Sequence, residues 1–71
     1  MLISGETLRV LRQIKGMKQR VVARQLGISQ PAYSQMETSC YVDCEKFERI
    51  ISILGYSKAD LKEIVNKHIL L

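Results

Sequence analysis

"QRVVARQLGISQPAYSQME", residues 19–37, is the stretch from which the rest of the chain can be read. Val22, Ala23 and Leu26 recur three and four apart, the spacing of one helix face. Gly27 follows where a left-handed residue ends a helix most easily. Ser29 then offers an oxygen to the free amides of a second helix. Pro31 suits that helix's first turn, because the N–H that proline lacks would be unpaired there anyway. The residue before a proline disfavours helical backbone, so Gln30 is a second candidate for the cap, although the Ser29 hydroxyl is the better one. Ala23 allows close approach, Gly27 can take a positive φ, and Ile28 can plug the corner. Two helices meeting at a steep angle across a turn of about three residues are therefore expected.

Outside this stretch the same period persists. Leu8, Leu11 and Ile14, with Val10 beside them, form a stripe opened by Ser4 and closed by Gly16. Asp43 can cap a fourth helix carrying Phe47, Ile50, Ile51 and Leu54, which Gly55 ends. Ser57 can cap a fifth, about residues 58–69, with Leu61, Ile64, Val65 and Ile69 along one face. Four glycines, one proline and no strand-like alternation point to an all-α fold of five helices. A length of 71 residues allows one domain, taken as 1–71, that buries roughly 60% of its unfolded surface.

The net charge is +4, and it is concentrated in the first half. Arg9, Arg12, Lys15, Lys18, Arg20 and Arg24 face only Glu6 within residues 1–36, a local net of +5, which favours a polyanionic partner. No apolar run approaches a membrane span and no signal-peptide pattern opens the chain, so a soluble cytoplasmic protein without membrane contact is expected.

On the helix after Ser29, Tyr33 and Met36 fall inward, while Gln30, Pro31, Ser34 and Gln35 share the outer face. That face is short, polar and uncharged. It suits the major groove, where a glutamine can both donate to and accept from an adenine edge and a serine can do either. Charge for the phosphates then has to come from neighbouring segments.

The run "GETLRVLRQIKGMKQRVVARQLGISQPAYSQME" resembles the helix-turn-helix of the Cro and phage-repressor type, the XRE family of small bacterial and phage regulators, and "LGYS" resembles its usual close to the fourth helix. The likeness covers about residues 5–57, with the helix-turn-helix at about 19–37. It implies a lambda-repressor-like fold, double-stranded DNA as partner, and base contacts by Gln30, Pro31, Ser34 and Gln35. In that family the glutamine opening the second helix binds a phosphate, a role that falls here to Gln19, with Lys18, Ser29 and Lys46 flanking the same groove. The resemblance also implies a semi-buried pair between Arg12 and Glu37. The chain departs from the pattern in three places: Ser39-Cys40 stand where a glycine and a basic residue are usual, Lys18 where a hydroxyl cap is usual, and Tyr33 where a smaller Val or Ile is usual.

Two cysteines, Cys40 and Cys44, with one distant histidine are too few for a structural zinc, and a disulfide is not expected in a reducing compartment. They read as small, partly buried side chains. No nucleophile–base pair, phosphate loop or metal cluster is evident, so neither an enzyme, a cofactor nor a small-molecule effector is expected. Arg20 and Arg24 read as a solvated helix face before they read as DNA contacts. A module this small reads few base pairs, so a homodimer is expected, with Leu61, Ile64, Val65 and Ile69 as the candidate seam; the alternative is that Leu61, Ile64 and Val65 pack on the first and fourth helices and residues 69–71 fray. A second reading keeps the fold but makes it a protein-interaction partner of antitoxin-like type.

Overall fold

The structure is a computed structural model; it describes residues 3–69, and at 65 and 67–69 the backbone alone. Five helices follow one another: α1 (Gly5–Ile14), α2 (Gln19–Leu26), α3 (Gln30–Thr38), α4 (Cys44–Leu54) and α5 (Lys58–Ile69).

Local signals set most of these boundaries. Ser4, Ser29 and Asp43 stand at the caps of α1, α3 and α4, each accepting a backbone N–H of the first turn. Before α5, the Ser57 hydroxyl accepts from the Asp60 amide at 3.1 Å while the Asp60 carboxylate accepts from the Ser57 amide at 2.9 Å, a reciprocal capping box. Only α2 begins without a side-chain cap bond, at Lys18.

The corner between α2 and α3 closes through backbone. Gly27 has φ 76°, its N–H donates to the Arg24 carbonyl, and the Ile28 N–H reaches the Ala23 carbonyl at 3.0 Å. Ile28 itself is 38% exposed, so it does not plug the corner as its sequence position suggests. The paired carbonyls already fix the turn, and a plug is not required.

Leu8 and Leu11 of α1, Val22 and Ala23 of α2, Tyr33 of α3 and Phe47, Ile50, Ile51 and Leu54 of α4 form one core. Ile14 lies off this stripe and is 68% exposed. Ile64 of α5 joins the core, and Leu61 packs half-buried against it. This corrects the expected dimer seam: Ile64 is already covered by its own chain and is not free to meet a partner. The side chains of Val65 and Ile69 lie outside the described residues.

Both ends of α1 are tied by non-local contacts. Ile3 and Val42 form an isolated antiparallel bridge, with the Val42 N–H donating to the Ile3 carbonyl at 2.6 Å, and both side chains are buried. Beside it the Gly5 N–H donates to the Ser39 carbonyl at 3.1 Å, so α1 starts directly against the end of α3. At the other end of α1, the Tyr56 hydroxyl donates to the Leu11 carbonyl at 3.0 Å and the Lys15 ammonium lies 4.5 Å from the centre of the Tyr56 ring.

Candidate nucleic-acid interface

α3 divides cleanly into two faces. Tyr33 and Glu37, four apart, are buried, whereas Gln30, Pro31 and Gln35 are exposed and Ser34 is half-buried at the border. At nine residues the helix is about 13 Å long, comparable to the roughly 12 Å width of a major groove.

The inner face is held by charge. Glu37 is only 3% exposed, and it accepts from Arg12 Nε at 2.6 Å and from a terminal nitrogen of the same guanidinium at 3.2 Å. Arg12 also donates to the Met17 carbonyl at 2.8 Å, which ties the α1–α2 corner into the pair. Gln19 Nε2 donates to Glu37 Oε1 at 2.8 Å, and Gln30 Nε2 donates to Gln19 Oε1 at 3.4 Å. Burial opposes ionisation of Glu37, but the hydrogen bonds from Arg12 and Gln19 outweigh it and hold the carboxyl below its ordinary pKa. Arg12 is raised in turn, chiefly by its hydrogen bond to Glu37.

Tyr33 packs against this cluster. Its hydroxyl is buried without a partner of hydrogen-bonding geometry. Burial, with the nearby Glu37 carboxylate adding to it, pushes the phenol pKa up.

A family model described as a helix-turn-helix domain matches residues 5–64. The chain belongs to this helix-turn-helix family. The match agrees with the Cro and phage-repressor resemblance, and the domain is of a DNA-binding type. No curated protein and no solved structure matches the chain.

The candidate phosphate contacts of this helix-turn-helix domain are Lys18, Gln19, Ser29 and Lys46. Lys18, Ser29 and Lys46 are exposed. Gln19 is half-buried, and its amide is engaged inward by Glu37 and outward by Gln30. The uncapped start of α2 beside it is where a helix end attracts an anion. Arg20 and Arg24 are exposed, and among the described residues the ion pairs are Arg9 with Glu6 and Arg12 with Glu37. Cys40 is exposed and Cys44 half-buried, both free, so the expectation of partial burial holds for the second only.

Among the described residues no group of His, Cys, Asp and Glu is placed to hold a metal ion, and no helix is long and apolar enough to cross a membrane. Gly5 is a position that sequence reasoning passed over. It has no local signal, since its role is contact with a distant backbone.

Proposed function

We propose that this helix-turn-helix protein is a sequence-specific regulator of transcription that lays α3 in the major groove, acting as a homodimer on a palindromic site. The observation that carries the reading is the pairing of an exposed, uncharged polar face on α3 with a buried ionic anchor behind it. A carboxylate can only accept, so Glu37 turns the Gln19 amide nitrogen inward and its oxygen toward Gln30. Gln30 donates one N–H to that oxygen, which leaves its own oxygen and second N–H for a base edge. That donor–acceptor pair is complementary to adenine.

Gln35, Ser34 and Pro31 complete the base-facing surface, and Lys18, Gln19, Ser29 and Lys46 supply phosphate contacts. A two-fold assembly would space two half-sites about 34 Å apart. Its seam is assigned to α5, with Leu61 as the half-exposed apolar position. Selection of sites from random DNA by the purified protein at controlled salt tests the reading: an enriched palindrome supports it and a flat profile refutes it.

On the selected site, Gln30→Ala or Gln35→Ala should cost about 1 to 3 kcal/mol while leaving random-sequence binding nearly unchanged. Lys18→Ala should weaken both alike and reduce the salt slope by roughly one. Titrations by fluorescence anisotropy at several salt concentrations separate these patterns. Equal losses on specific and random DNA for Gln30→Ala would argue against base reading.

A further inference from the structure

We infer that the apolar ring of Pro31 determines specificity at one position of the site, by admitting a thymine methyl there and excluding base edges that need a hydrogen-bond partner. The inference rests on the reading of α3 as the groove helix. Pro31 is the second residue of α3 and is exposed. It precedes the fully buried Tyr33 by two residues, which sets it about 160° around the helix axis from that inner side chain. Within the first turn, it is therefore the residue that faces most directly away from the core.

Its chemistry narrows what it can meet. The ring holds neither donor nor acceptor, and proline has no backbone N–H to offer in its place. The amides that follow are engaged as well, Ala32 with Ser29 Oγ at 3.3 Å and Tyr33 with the Ser29 carbonyl at 3.1 Å. A cytosine amino group or the O6 and N7 of a guanine covered by this ring would lose water and gain no partner. The thymine methyl is the apolar group on a major-groove edge, and covering it is favourable. Helix initiation accounts for a proline in the first turn, but it makes no use of an apolar ring on the outermost line of a face otherwise made of Gln30, Ser34 and Gln35.

The neighbouring residue fixes where that thymine lies. Gln30 is held toward α2 by its bond to Gln19 Oε1 at 3.4 Å, and Pro31 follows it directly in the chain. Consecutive Cα atoms are about 3.8 Å apart, close to the base step of about 3.4 Å. The thymine therefore belongs to the base pair read by Gln30 or to the pair next to it.

The test uses the full chain and its selected site, with each thymine replaced singly by deoxyuridine, which removes only the methyl. Wild type should lose about fourfold in affinity, the effect of burying one methyl, at a thymine no more than one pair from the position relaxed by Gln30→Ala. Pro31→Val keeps an apolar side chain and should keep that loss, whereas Pro31→Ser, whose hydroxyl can pair with a polar edge, should bind both DNAs alike and relax the preference for thymine in a repeated selection. Thermal melts confirm that the two variants fold. The inference is overturned if wild type is indifferent to replacement at every thymine within one pair of the Gln30 position, if Pro31→Ser discriminates like wild type, or if Pro31→Val does not. A flat site selection would overturn the groove reading and this inference together; a preferred site with no uridine-sensitive thymine beside the Gln30 position would overturn this inference alone.

Discussion

Gly5→Ala should destabilise the domain by about 3 kcal/mol, the upper range for overpacking a site that cannot relax. A Cβ at this position would lie 2.0 Å from the Met36 carbonyl oxygen and 2.7 and 2.8 Å from the carbonyl carbon and oxygen of Glu37. All three are backbone atoms of α3, so no side chain can swing aside. Separating the helices would also break the bond from the Gly5 amide to the Ser39 carbonyl. Helix propensity argues the other way, since alanine is favoured over glycine inside a helix by about 1 kcal/mol. The sign of the measured change therefore decides which effect governs. Urea denaturation gives that sign directly, and a variant as stable as wild type would mean that α1 can slide away from α3 without penalty.

Glu37→Ala should be comparably severe, at about 3 kcal/mol, because it removes one partner of a buried pair and strands the other. The Arg12 side chain is 11% exposed and would keep only the Met17 carbonyl, while Gln19 Nε2 would lose its acceptor. A double-mutant cycle with Arg12→Ala isolates the pair, and absence of coupling would contradict the assignment. The pH dependence has a defined sign. The Glu37 carboxyl is held below its ordinary pKa in the folded chain, so the unfolded chain binds that proton more readily. The stabilisation is complete above about pH 4.3, the unfolded value, and is lost as pH falls through the lower folded value. Wild type should accordingly lose more stability than Glu37→Gln between neutral pH and about pH 3.5, measured by urea titration at each pH.

The readable parts of the fold were those decided within one turn of chain. Gly27 and Gly55 end their helices with left-handed backbone, and Ser29, Asp43 and Ser57 cap theirs, because each acts on amides or carbonyls a few residues away. The outer and inner faces of α3 follow from the same 3.6-residue period. Arg12 and Glu37 are 25 residues apart; their positions beside the apolar stripes put both at the border of the core, and the family resemblance paired them. Ile64 and Ile28 were misjudged for a related reason. Whether an apolar residue on a stripe is covered depends on how neighbouring elements pack, and Ile64 finds the core while Ile28 sits beside a turn already closed by backbone. Gly5 was silent because its reason is a backbone brought near from residues 36 and 37.

The bridge between Ile3 and Val42 bears on the order of events in time. It joins chain positions on either side of the whole of α1, α2 and α3. Closing a loop of that length costs roughly 3 kcal/mol of chain entropy, whereas α2 and α3 meet across a few residues. Local contacts of the second kind form early, and the long closure waits until intervening helices have shortened the distance. α2 and α3 are thus expected to come together before the segment that latches them. Ile3→Val should mainly speed unfolding and Ala23→Gly should mainly slow folding, so the last contact made in assembly is also the one that governs how long the assembled domain survives.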